Sequence, residues 1–230
     1  MTSDATRIAG AGHVVLGFDG PLCRLFAGRP ADQVAGHLIT WLEHNDGRVR
    51  LPDRVLHGGD PYAVLAEVGR LRPDSGLVAA LEEELTAEEL RATPTAWPTP
   101  YADPLIRTWH ATGVTLALIG DNSPRAARTY LAQRGTEYCF GSRIHGRTRA
   151  SDRLRPDPDC LHRALDSLGA EAATTLMIGD SAADVTAARA AGVAFIGYGR
   201  TEERVERLRR AGAASVVMSL GPVLDAVRGR

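Results

Sequence analysis

Short apolar runs recur along the chain with longer amphipathic stretches between them. Segments 13–18, 114–119, 137–140, 174–178, 193–197 and 215–218 are four to six residues long and rich in Val, Leu, Ile and Phe. Runs of that length bounded by polar turns are the pattern of strands buried on both faces. The stretches between them have readable helix ends. Asp121-Asn122-Ser123-Pro124 supplies an N-cap and a proline for the first turn of a helix over 125–134, which Gly135 stops. Asp157-Pro158 opens a second helix that Gly169 closes. Segments 181–191 and 201–211 are two more, closed by Gly192 and Gly212. Strand, turn and helix repeated in this way predict a doubly wound α/β domain around a parallel sheet.

One region departs from this rhythm. From residue 23 to 97 the periodicity is helical and no buried strand stands out. Val34, Leu38, Trp41 and Leu42 fall on one face of 31–44, and 61–71 and 76–90 read as further helices. Pro94, Pro98 and Pro100 then give a stiff linker. The reading is a helical cap inserted at 23–97 into a core made of 1–22 and 98–230.

Composition narrows the function classes. The chain has 230 residues, 44% hydrophobic and 24% charged, which supports a packed core. Lys+Arg total 27 against 28 Asp+Glu, so no basic excess points to nucleic acid. Every one of those basic residues is arginine, since the sequence contains no lysine. No apolar run approaches the ~20 residues of a membrane span, and the first residues lack the apolar stretch of a secretory signal. Three cysteines without metal-ligand spacing (Cys23, Cys139, Cys160) read as reduced thiols, with a cytoplasmic location expected.

In open α/β sheets ligands bind beyond the carboxyl ends of the strands. Here those ends carry Gly17-Phe18-Asp19-Gly20-Pro21, Gly120-Asp121-Asn122-Ser123, Arg155-Pro156-Asp157 and Gly179-Asp180-Ser181 with Asp184. A carboxylate at a strand tip serves packing poorly. Asp180 and Asp184, four residues apart, suit either a hard divalent cation or the start of a helix, with Asp180 as cap and Asp184 facing the dipole.

Taken in order, these four segments with a helical insert after the first resemble the haloacid dehalogenase (HAD) superfamily of phosphohydrolases, in its phosphoglycolate-phosphatase-like branch. The resemblance covers nearly the whole chain and implies a Rossmann-type core, a helical cap, Mg2+ and a phosphorylated or otherwise anionic small molecule. Gly179-Asp180-Ser181-Ala182-Ala183-Asp184-Val185 matches the family's fourth motif closely.

The departures bear on function. In the family's first motif one Asp attacks phosphorus and a second, two residues on, protonates the leaving group. Asp19 falls at the second position, while the first is Gly17, which has no nucleophile. The hydroxyl residue of the second motif is replaced by Gly120. Asp121 then adds a carboxylate beside the expected phosphate pocket, and Ser123 is placed to cap the next helix. Arg155 stands at the lysine of the third motif, and its planar fork is not equivalent to an ammonium. By resemblance a cation would touch the Asp19 carbonyl and Asp180, with Asp184 in support. The missing carboxylate at 17 would weaken that site.

Lesser signals are His57 beside Gly58-Gly59 in the insert, Arg24 near the cleft mouth, and a thiol at Cys23 with nothing nearby to activate it. Arg143, Arg147, Arg149, Arg153 and Arg155 form a basic run read as a solvated loop. Trp41, Trp97 and Trp109 read as packing residues. Three functional readings follow. One is a scaffold that has lost hydrolysis and binds a ligand, a protein partner or a second copy of itself. Another is an enzyme with altered chemistry, or a weak phosphomonoester phosphatase, built on Asp19, Asp180 and Asp184. The third is a nucleophile removed at position 17 by engineering, which three dispersed departures do not favour.

Overall fold

The computed structural model describes residues 4–73, 75–148 and 153–229. The chain opens with α1 (Asp4–Gly10), β1 (His13–Gly17) and β2 (Cys23–Arg24). Four helices come next: α2 (Ala31–Asn45), α3 (Asp53–Leu56), α4 (Pro61–Leu71) and α5 (Gly76–Ala92). After β3 (Trp97–Pro98) come α6 (Ala102–Ala111), β4 (Thr115–Ile119), α7 (Pro124–Arg134), α8 (Glu137–Phe140) and β5 (Ile144–His145). The remainder runs α9 (Asp159–Leu168), β6 (Thr175–Gly179), α10 (Ala182–Ala190), β7 (Ala194–Tyr198), α11 (Glu202–Arg210), β8 (Val216–Val217) and α12 (Gly221–Arg228).

Six strands form one parallel sheet in the order β5-β4-β1-β6-β7-β8. The strand period of two sorts their side chains. Val14, Leu16, Leu116, Leu118, Leu176 and Ile178 face one helical layer, with Leu105, Ile106, Trp109, Leu131 and Leu224. Val15, Ala117 and Met177 face the other, against Leu161, Ala164 and Leu165 of α9. Both faces are covered, so the strands read as continuous apolar runs. β1 lies at the centre, paired with β4 and β6, and its carboxyl end is flanked by both neighbours.

Segment 137–140, expected as a strand, is a helix. Cys139 and Phe140 are adjacent yet both fully buried in the same apolar cluster, which a strand's alternation forbids and a helical turn permits. Ile144–His145 is the edge strand instead, pairing with β4.

Helices α2 to α5 bury their own apolar cluster, centred on Val34, Leu38, Leu42, Val64, Leu65, Val68, Leu81 and Leu85. The chain leaves the sheet and returns beside its exit point, through the antiparallel pairs Cys23 with Pro98 and Arg24 with Trp97. This two-strand neck is too short to register as a strand pattern in the sequence. α5 reaches furthest toward the sheet, packing against α7. Among the described residues no helix is long and apolar enough to cross a membrane.

Candidate functional site

A cleft of about 160 Å³ opens at the carboxyl end of the sheet, lined by residues from eight segments. The loop after β1 contributes Asp19 and Gly20, and β2 contributes Arg24. The loop after β4 contributes Asp121 and Asn122, and Arg155 precedes α9. Asp180, Arg200 and Arg204 come from the ends of β6 and β7 and from α11, and Tyr62 of α4 enters from the helical side.

Local sequence sets these positions. Gly17 ends β1, and a Cβ placed there would meet Pro21 Cδ and Cγ at 3.4 Å and the Ile178 carbonyl at 3.5 Å. Those are ordinary contacts, and its φ is not left-handed, so the fold does not demand glycine at 17. Gly20 differs: its φ is +92°, and a Cβ would lie 2.2 Å from Asp180 Cγ. Only glycine lets the Asp180 carboxylate lie against this loop. One oxygen of Asp19 accepts the Leu25 N–H at 3.2 Å. At Gly120 a Cβ would meet Asn122 Oδ1 at 3.2 Å, so the asparagine amide crowds the place of the family's hydroxyl residue.

The expected helix starts hold in part. Ser123 caps α7, its Oγ accepting the Arg125 N–H at 3.2 Å. At α10 the cap is Ser181, not Asp180: Ser181 Oγ accepts the Asp184 N–H at 3.1 Å, and Asp184 Oδ2 accepts the Ser181 N–H at 3.0 Å. This capping box uses Asp184 inside the helix and leaves Asp180 free to face the cleft.

Each cleft carboxylate has a defined partner. Arg155 forks to Asp121, with Nη2 at 3.2 Å from Oδ2, and its Nη1 pairs with the fully buried Asp184. Asp121 therefore meets a guanidinium at the point where it would repel an anion. Arg204 Nη1 donates to Asp180 Oδ2 at 2.9 Å. Burial, reinforced by Asp184 and Asp19, still pushes the Asp180 carboxyl up to about 7 against the pull of Arg204. Burial also lifts Asp19 above the usual carboxylate range, opposed by the Leu25 N–H and Arg155.

Arg24 lies over the exposed ring of Trp97, 4.3 Å from its centroid. Among the described residues neither Arg24 nor Arg200 is within 4.0 Å of a carboxylate oxygen. Burial and the nearby charges of Arg24 and Arg204 hold the Arg200 guanidinium below its ordinary range.

Beneath the cleft a second network ties the helical layer to the sheet. Arg147 and Glu89 are both fully buried, and Arg147 Nη1 lies 2.8 Å from each Glu89 oxygen. Glu89 also accepts the Ser123 N–H at 2.9 Å and the Tyr62 hydroxyl at 3.0 Å, while Asn122 Nδ2 donates to that hydroxyl at 2.5 Å. Arg147 is thus an interior clamp and not the solvated loop residue expected. Of its neighbours in the basic run, Arg143 donates to the Leu116 carbonyl at 2.9 Å, Arg153 pairs with Asp159, and Arg149 lies outside the described residues.

The structure brings Asp19, Arg24, Asp121, Asn122, Arg155 and Asp180 to one cleft, with Asp184 directly behind Arg155. It leaves His57 exposed at the end of α3 and not among the lining residues. Cys23 is buried, and burial with the Asp19 charge raises its thiol well above the usual range, which disfavours the thiolate. Sequence reasoning missed Tyr62, Arg200 and Arg204. Arg200 follows the tip of β7, where the strand-end rule already pointed. Arg204 lies one helical turn further on.

A family model described as haloacid dehalogenase-like hydrolase matches residues 31–192. A phosphoglycolate phosphatase of Rhodospirillum rubrum is 36% identical over 124 residues, covering 53% of this chain and 51% of that protein. The match thus spans about half the length of that relative. A predicted phosphatase from Clostridium acetobutylicum superposes with a TM-score of 0.70 at 16% identity, over 96% of this chain and 99% of that one. CbbY from Rhodobacter sphaeroides, solved in complex with phosphate, gives 0.68 at 19% identity over 94% and 99%. At those identities the structural likeness establishes the fold.

Proposed function

The chain belongs to the haloacid dehalogenase-like hydrolase family, and from that premise we propose that its cleft binds a small phosphorylated or otherwise anionic molecule without forming a phosphoaspartate. The observation that carries this reading is Gly17 at the tip of the central strand. No carboxylate stands two residues before Asp19, although the backbone there has room for a Cβ. Without a covalent nucleophile, what survives of catalysis in such systems is about 10³-fold over water, from binding and electrostatics.

The donor set also fits Mg2+ poorly. Gly17 offers no oxygen from a side chain, Asp180 is engaged by Arg204, and Asp184 is engaged by Arg155 and Ser181. Among the described residues, the one group of three ligand atoms within 4.8 Å is His37, Glu84 and Glu88, on the helical side. There Glu88 already pairs with Arg29 and Arg91. The reading therefore contains no metal-dependent step.

A second reading keeps Asp19 as a general acid for non-covalent chemistry. Its support is the burial that lifts the Asp19 carboxyl and holds its proton longer than that of an exposed aspartate.

The test is phosphate release from a broad phosphoester panel, assayed with and without Mg2+. The relative's name makes phosphoglycolate the first compound to try. Binding of a panel member without turnover is expected. Mg2+-dependent turnover well above background would refute the proposal, and turnover that is lost in Asp19→Asn would favour the second reading.

A further inference from the structure

Four guanidinium groups line this cleft; Arg155 is held by Asp121 and Asp184, and the other three are not used alike. Arg204 is engaged with Asp180 at 2.9 Å. Arg24, stacked on Trp97, and Arg200, at the end of β7, have no carboxylate within 4.0 Å among the described residues. All three line the same cavity as Asp180. Two guanidiniums without an ion-pair partner among the described residues thus line a space shared with Asp19, Asp121 and Asp180, and the third is paired with Asp180.

Asp180 is the carboxylate that the family resemblance assigns to the cation. A cation entering here would have to displace Arg204 from Asp180, and it would gain no second carboxylate from position 17. Mg2+ binds through one or two carboxylates in near-octahedral geometry and dehydrates reluctantly, so this exchange is unfavourable. Arginine is permanently charged, and its planar fork presents paired N–H donors to tetrahedral oxyanions.

We propose that Arg204 supplies at Asp180 the positive charge that a divalent cation would supply, and that with Arg24 and Arg200 it forms a metal-independent receptor for a doubly charged oxyanion such as a phosphate group. The inference rests on the non-hydrolytic reading above and names the subsite and its ligand chemistry. The two free guanidiniums match the two charges of a phosphate dianion. The mutual repulsion of Arg24, Arg200 and Arg204 is relieved when that dianion sits between them. The stacking of Arg24 on Trp97 limits the ordering needed on binding.

Isothermal titration calorimetry of the full chain with inorganic phosphate tests this, once in EDTA and once in excess Mg2+. The expected result is equal affinity in the two buffers, to within twofold. Each of Arg24→Ala, Arg200→Ala and Arg204→Ala should weaken binding about tenfold, as loss of a charge-assisted hydrogen bond does. Thermal melts should show the variants folded, because these side chains are partly exposed and outside the apolar clusters. Phosphate binding that requires Mg2+, no binding in either buffer, or unchanged binding in the Arg24→Ala/Arg200→Ala variant would each overturn the proposal. The ester panel separates this failure from failure of the broader reading. Mg2+-dependent turnover defeats the non-hydrolytic reading, whereas Mg2+-dependent binding without turnover defeats the arginine receptor alone.

Discussion

Replacing Glu89 by alanine strands a charge that has no route back to water. Arg147 and Glu89 have side chains with 0% exposure, and one guanidinium nitrogen serves both carboxylate oxygens at 2.8 Å. After truncation Arg147 keeps Glu82 at 3.0 Å, Thr86 at 2.6 Å and the Asp121 carbonyl at 3.1 Å, of which only Glu82 is charged, and it is partly exposed. Breaking a buried pair by removing one partner costs about 3–5 kcal/mol. The Ser123 N–H also loses its acceptor, a further cost of about 1–3 kcal/mol that is not fully additive. The expected loss is thus about 4 kcal/mol, a large share of the 5–15 kcal/mol typical of a folded protein. Urea denaturation followed by far-UV circular dichroism measures it. The double variant Glu89→Leu/Arg147→Met replaces both charges with apolar groups of similar size and should recover most of the stability. A loss below about 1 kcal/mol for Glu89→Ala, or a double variant as unstable as the two single losses added, would refute this account of the clamp.

Two other outcomes follow from the cleft. Asp180 has its folded-state carboxyl raised to about 7, so its contribution to stability is fully present below about pH 4 and is lost as pH rises through 7. That loss amounts to as much as about 4 kcal/mol, and Asp180→Asn should remove it. The gap between the variant's and the parent's urea midpoints should therefore widen from pH 5 to pH 9, whereas parallel profiles would contradict the assigned environment. Gly17→Asp alone should leave phosphoester turnover at background, because Arg204 still holds Asp180. Calorimetric Mg2+ binding should appear in Gly17→Asp/Arg204→Ala and in neither single variant, and a Mg2+ heat in the parent would oppose this.

What was legible in the sequence was local. The cap of α7 by Ser123, its stop at Gly135 with φ +61°, and the strand-tip positions of Asp19, Asp121 and Asp180 all follow from neighbours a few residues apart. α6 and α12 went unread although Leu105, Ile106 and Trp109, and Val223, Leu224 and Val227, carry the spacing of one buried helical face. Segment 137–140 was misread because a four-residue apolar run has no period long enough to separate strand from helix. The pairings that define the site were not legible at all. Arg147 and Glu89 are 58 positions apart, Arg204 and Asp180 are 24 apart, and Tyr62 reaches the cleft only through the packing of α4. A basic run looks solvated until the fold buries one of its members against an acid from another layer.

On the proposed non-hydrolytic reading, the cleft's charge pattern supplies the physical reason for binding without hydrolysis. Asp121 and Asp184 share Arg155, Asp180 has Arg204, and Asp19 has a backbone N–H, so every carboxylate at these strand ends is satisfied before any ligand arrives. A guanidinium can neutralise and orient, but it is permanently protonated and offers no vacant orbital for a substrate oxygen. Substituting it for a cation therefore retains attraction for an anion and discards polarisation of the scissile bond. On the proposed reading, with no nucleophile at 17 to carry the ester toward a transition state, that attraction serves binding rather than chemistry. The glycine at 17 and the engagement of Asp180 by Arg204 then reinforce each other. Without the first carboxylate a divalent ion has too few anionic ligands, and with an arginine in residence a restored carboxylate has no ion to share.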